Sequence, residues 1–173
     1  LASSAAHTYG KRLTALESFT ETRNHFSIRP ARMKHRVDEA LLLGGNYLNM
    51  AVVEYSPAEA GLPGWVHNAG PHLNHCQTWW PLARPFFDYL GRCCFLLQSG
   101  KAVTHVAEYR SFRTPKTGLW HEKNEKPSDW PKTFTFDFVN DDLVQNQMRA
   151  RDGQIVLASG ATYQVLYIVA PTE

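Results

Sequence analysis

The feature that most restricts the fold is an alternation of hydrophobic period between Leu13 and Gly100. Leu13 to Thr20 is a short apolar run that breaks at Glu17 and opens into the polar Glu21-Thr22-Arg23-Asn24, the pattern of a buried strand leading into a loop. From Pro30 to Leu43 the apolar Met33, Val37, Ala40 and Leu41 separate from Arg32, Lys34, Arg36, Asp38 and Glu39 at helical spacing, which predicts an amphipathic helix. Gly44-Gly45 ends it. Asn46 to Tyr55 then reads as a second, nearly continuous apolar strand whose end carries Glu54. After a long Pro, Gly, Asn and His loop from Ser56 to His75, helical spacing returns from Thr78 toward Gly100, with Pro85 predicted to kink the helix or mark an irregular first turn. Apolar residues fall on most sides of that helix, so it is expected to be buried. Strand, helix, strand, helix is a βαβ unit extended by one element, and it requires parallel strands.

The pattern restarts beyond Ser99. Ala102 to Tyr109 predicts a strand, and the polar stretch to Lys132 predicts an exposed loop. Thr133 to Val139 is β-prone, Asn140 suits a helix cap, and Asp152-Gly153 suits the turn of a hairpin spanning Met148 to Leu157. Tyr163 to Val169 reads as a last buried strand. The chain therefore divides into residues 1–99 and 100–173, the first opened by a small-residue helix that stops at Gly10. Because the sequence begins at Leu1 rather than Met and ends on a strand, we expect a piece of a longer protein. The rest of that parent chain would then be its first partner.

Bulk properties exclude several classes. In 173 residues with a net charge of +2, no run of Lys and Arg interleaves with aromatics, which argues against nucleic acid as a partner. No apolar run is long enough to span a bilayer, so no membrane partner is expected either. Three cysteines, of which Cys93 and Cys94 are adjacent, cannot make a disulfide framework and read as reduced packing residues.

Glu17 and Glu54 fall at the ends of consecutive predicted strands. In a parallel barrel they would face one mouth, where a pair of carboxylates can supply acid and base to a glycosidic bond. The competing reading of Glu17 is a loop-edge carboxylate that is solvated or paired with Arg23. His67, His72, His75 and Cys76 lack the regular spacing and fourth ligand of a zinc motif, so no metal ligand is assigned; histidines lining a sugar cleft are preferred. Cys93 and Cys94 show no activating base, and Trp79-Trp80 is read as core packing at a helix start.

Several segments occur in a definite order: SAAHTYGKRLTALESFT (Ser4 to Thr20), GGNYLNM (Gly44 to Met50), YSP (Tyr55 to Pro57), LPGW (Leu62 to Trp65), GPHLN (Gly70 to Asn74), TWW (Thr78 to Trp80), YLGRC (Tyr89 to Cys93), LLQSGK (Leu96 to Lys101) and DGQIVLASGATYQVL (Asp152 to Leu166). Together they resemble glycoside hydrolase family 106, the α-L-rhamnosidases, over nearly the whole chain. The resemblance implies an α/β chain: the C-terminal part of a (β/α)8 catalytic barrel in residues 1–99, followed by the start of a flavodoxin-like or amidotransferase-like α/β domain in residues 100–173. It implies inverting hydrolysis of terminal α-L-rhamnosyl linkages in a carbohydrate substrate, with Glu17 of the ESFT segment matching a catalytic glutamate and serving as candidate base. Glu54, Tyr55, His72 and Asn74 are the candidate substrate-binding residues. The partner acid is expected upstream of Leu1, so the isolated piece should hydrolyse nothing. The resemblance further implies a calcium ion near the sugar, with no ligand assigned to this chain, and a secreted or periplasmic parent. The chain departs from the family pattern at Ala51-Val52-Val53-Glu54, where a His is expected, and at His75, where Arg is expected. A non-catalytic carbohydrate-binding or structural relative is the alternative.

Overall fold

In a computed structural model of the chain, which describes residues 1–22, 25–111 and 135–168, contacts define two units. One is Leu13–Gly100; the other joins Leu1–Arg12 to Lys101–Glu173. The opening helix α1 (Ala2–Thr8) thus groups with the second segment, whereas the sequence reading kept it in residues 1–99. It packs on a strand 130 positions away, held by a hydrogen bond between His7 and Asp137. A contact so distant in sequence leaves no local pattern to read.

In Leu13–Gly100 the elements are β1 (Ala15–Ser18), α2 (Pro30–Leu42), β2 (Tyr47–Met50) and α3 (Arg84–Gln98). Strands β1 and β2 pair in parallel, as the alternation requires, with Glu17 beside Asn49 and Ser18 beside Met50. Both strands alternate exposed and half-buried residues. Leu48 and Met50 pack against Val37 and Leu41 of α2 and Leu90 of α3, so helices cover one face of the pair. The other face, bearing Ala15, Glu17, Tyr47 and Asn49, is exposed.

Three expectations change here. β1 is shorter than Leu13 to Thr20 and is not buried, because no element among the described residues of this unit covers its second face. β2 stops at Met50, so Glu54 lies in the following loop rather than at a strand end. Helix α3 buries only Leu90 fully, while Phe95 and Leu96 stand 71% and 69% exposed, so it is not buried on most sides. Pro85 sits in the first turn of α3 and is accommodated there, after a 3₁₀ turn over Trp80–Leu82. Trp79 donates its indole N–H to the Ile28 carbonyl at 2.9 Å and packs with Met33 and Leu73, as a core residue should.

The other unit holds a parallel sheet of β3 (Val106–Tyr109), β4 (Phe136–Val139) and β8 (Val165–Ile168) in the order β4-β3-β8. Beside it, β5 (Arg149–Arg151), β6 (Gln154–Val156) and β7 (Thr162–Tyr163) form an antiparallel meander. Asp152 and Gly153 turn the β5-β6 hairpin with φ of 49° and 73°, the left-handed pair that an Asp-Gly turn supplies. Asn140 accepts the Leu143 amide N–H at 3.0 Å, capping a short helical turn. Ala107, Val139, Leu143, Leu157 and Tyr163 form the core. The last strand, expected to be buried from Tyr163 on, is split at Gln164 between β7 and β8, and Val165 and Ile168 are exposed. Its end at Val169 and the loop expected up to Lys132 lie outside the described residues.

Candidate active site

Every candidate residue of the first unit lies at the carboxyl ends of β1 and β2 or in the loops that follow. The ladder continues past the strands, Ala51 donating its N–H to the Ser18 carbonyl at 2.8 Å. The two loops then meet. Gly70 donates to the Glu21 carbonyl at 2.7 Å, and Phe26 from the first loop stacks on His72 from the second at 4.7 Å and 17°. Gly70 has φ of 97°, and a Cβ there would lie 2.6 Å from the Val52 nitrogen; only glycine permits so close a crossing of the strand end.

Glu17 is exposed on the open face and accepts a hydrogen bond from the Thr20 hydroxyl at 2.6 Å. Its neighbour Glu21 is different: its carboxylate is flanked by Arg32 at 3.2 Å and Arg36 at 3.3 Å, both on α2. Of the two, only Glu17 combines exposure with the absence of a described cationic partner, the condition under which a carboxylate can take a proton from water. Arg23, the competing partner for Glu17, lies outside the described residues.

Glu54 and His72 come together across the second loop. His72 Nδ1 sits 2.7 Å from Glu54 Oε1, with the side chains only 1% and 7% exposed, although the pair is not aligned as a hydrogen bond. The ring is further fixed by Phe26 and by a left-handed backbone at His72, φ 52°. Among the described residues neither oxygen of the Glu54 carboxylate has an aligned hydrogen-bond donor, although His72 Nδ1 stands close to one of them. Nothing in the local sequence signals that these two residues meet.

Asn74 works within the loop. Its amide donates to the Glu54 carbonyl at 3.0 Å and accepts the Cys76 N–H at 3.0 Å, so both ends of the side chain brace the backbone. Tyr55 is 75% exposed and meets the ring of Trp65 edge-on at 6.1 Å. Trp65 is a surface residue that the sequence reading placed in a motif but gave no role.

Among the described residues no three His, Cys, Asp or Glu side chains gather as a metal site. No residue among those described is assigned to the calcium implied by the resemblance. Cys93 and Cys94 pack against the α2-α3 core, and burial pushes the Cys94 thiol up, away from the reactive thiolate. No helix among the described residues is long and apolar enough to cross a membrane.

In the second unit the two buried carboxylates each have close partners. Glu108 is wholly buried on β3, with Arg110 Nε and Nη2 each 2.8 Å from Oε1. Asp137 is held between His7 Nδ1 at 2.9 Å and the Tyr163 hydroxyl at 3.1 Å. Burial, with the Asp137 charge beside it, drives the Tyr163 phenol far above its ordinary range.

Comparison with known proteins follows the same lines. A structure of a rhamnosidase from Novosphingobium sp. PP1Y superposes with a TM-score of 0.86 at 29% identity, over 96% of this chain and 16% of that one. A curated protein of Formosa agariphila named "Putative beta-glucuronidase" is 25% identical over 166 residues, 96% of this chain and 14% of the relative. The chain thus spans about one sixth or less of the lengths of these relatives. The model of the alpha-L-rhamnosidase family, glycoside hydrolase family 106, matches residues 1–173, and the chain belongs to that family.

Proposed function

We propose that this chain is part of the catalytic region of an inverting α-L-rhamnosidase, in which Glu17 is the general base that activates water. The observation that carries the proposal is the exposed Glu17 on the uncovered face of a parallel strand pair, at the end where the following loops converge. That is where a (β/α) barrel keeps its chemistry. Helices on one face of β1-β2 and an open second face are what a segment of such a barrel would present before its remaining strands close the interior. The order β4-β3-β8 places the first strand of the second sheet between the second and third, which agrees with the opening of a flavodoxin-like doubly wound domain.

In this reading Thr20 holds one oxygen of Glu17 in place, and the other faces the water that attacks the anomeric carbon. The acid that protonates the leaving oxygen comes from the rest of the parent, as do the ligands of a calcium ion. Tyr55 meets the substrate directly, whereas the buried Glu54 and His72 act by shaping the loop that carries it, and Asn74 braces that loop. Inversion fixes a test: the parent enzyme, followed by proton NMR on an aryl α-L-rhamnoside, should first release the β-anomer of rhamnose. Release of the α-anomer would overturn the inverting mechanism. A folded parent that hydrolyses no rhamnoside would favour the non-catalytic alternative.

A further inference from the structure

Trp65 and Tyr55 stand together on the surface of the loop after β2, 59% and 75% exposed, with ring centroids 6.1 Å apart and planes at 72°. Large aromatics are usually tucked away, and two that touch while facing water call for a partner. The backbone beneath them is tied down by hydrogen bonds. Trp65 donates its N–H to the buried Ser56 hydroxyl at 3.0 Å, and the Glu54 carbonyl preceding Tyr55 is tied to the Asn74 amide at 3.0 Å. Gly64 has φ of 84°, and a Cβ on it would come within 2.8 Å of Cys76 Sγ, so the residue before Trp65 is pressed onto the loop interior. Next to Trp65, Val66 joins His67, Asn68 and Phe26 in lining an open depression. Aromatic surface thus borders an imidazole and an amide.

We propose that Tyr55 and Trp65 form a stacking platform for a neutral pyranose ring of the carbohydrate substrate, separate from the catalytic Glu17. A pyranose has an apolar C–H face to lie on an aromatic ring and equatorial hydroxyls to meet polar neighbours such as Asn68 and His67. A surface alternating aromatic, aliphatic and polar groups, with no Lys or Arg in the depression, matches that ligand better than it matches an anion. A loop braced in this way needs little ordering on binding. This inference rests on the glycosidase reading of the parent, and its test is chosen so that the two can fail separately.

The experiment uses the full-length parent and a rhamnose-containing oligosaccharide, with Trp65→Ala and Trp65→Phe compared with wild type. Trp65→Ala should raise both KM and the calorimetric Kd for the oligosaccharide roughly tenfold, with kcat and Tm unchanged, and Trp65→Phe should recover most of the affinity. Unchanged Kd in Trp65→Ala would overturn the platform. So would a lowered Tm with native Kd, which would mean that Trp65 packs against the rest of the parent. Because Kd is read without turnover, a parent that binds the oligosaccharide but hydrolyses nothing would refute the glycosidase reading while the platform is still decided by Trp65→Ala.

Discussion

Glu17 and Glu108 each occupy the third position of a four-residue parallel strand, and the two could hardly be treated more differently. Around Glu17 only one sheet face is covered, the strand alternates exposed and half-buried residues, and the carboxylate meets water and the Thr20 hydroxyl. Around Glu108 the strand is buried from Val106 to Glu108 and one carboxylate oxygen takes both contacts from Arg110. Position in the strand is the same; what covers the second face decides the outcome. A carboxylate removed from water must be neutralised by a partner and becomes part of the scaffold, whereas an exposed one remains able to accept a proton. Asp137 repeats the lesson of Glu108, with His7 and Tyr163 as its partners.

The contrast is open to mutation in the full-length parent. Arg110→Met should be the most damaging, since it strands a buried charge at a cost of about 3 kcal/mol in chemical denaturation; a change below about 0.5 kcal/mol would mean that Glu108 is solvated, as Glu17 is. Gly70→Ala follows at about 2 kcal/mol, because the residue adopts φ of 97° and its Cβ would collide with the Val52 backbone. A native midpoint there would show that the loop shifts freely and does not fix His72.

Tyr163→Phe should cost about 1 kcal/mol through the lost hydrogen bond to Asp137. Its pH dependence has a definite sign. The folded state holds the Tyr163 phenol in its protonated form by raising its pKa from the ordinary value of 10.0, so the contribution is full below that pH and is lost above it. Denaturation midpoints should therefore fall less steeply above that pH in Tyr163→Phe than in wild type. The smallest effect is expected at Thr20→Val, within about 0.5 kcal/mol in stability, since both Thr20 and Glu17 face solvent. A larger loss would place Glu17 among the structural carboxylates.

Elements governed by local pattern were legible and those set by distant contacts were not. Helix α2 lies at Pro30–Leu42, almost as its spacing predicts, because Pro30 suits a first helical position and Gly44-Gly45 follows its end. The parallel pairing of β1 and β2 follows from the helix between them. The second strand was overextended because Val52, Val53 and Tyr55 are β-prone by composition, yet Val53 and Tyr55 stand 65% and 75% exposed. Composition does not show where pairing ends. The meeting of Glu54 with His72 and of His7 with Asp137 depends on loop crossings that no periodicity encodes. Trp65 is visible within LPGW, but its contact with Tyr55 is not.

The central claim is that the open face of β1-β2 makes Glu17 a catalytic base, and Glu17→Gln in the full-length parent tests it most directly. The amide keeps the side-chain volume and removes the proton acceptor. Turnover of an aryl α-L-rhamnoside should fall by roughly two to four powers of ten, with Tm and substrate binding at their wild-type values. Near-normal turnover, or a loss of activity accompanied by a fall in Tm, would contradict the account and return Glu17 to the scaffold beside Glu108.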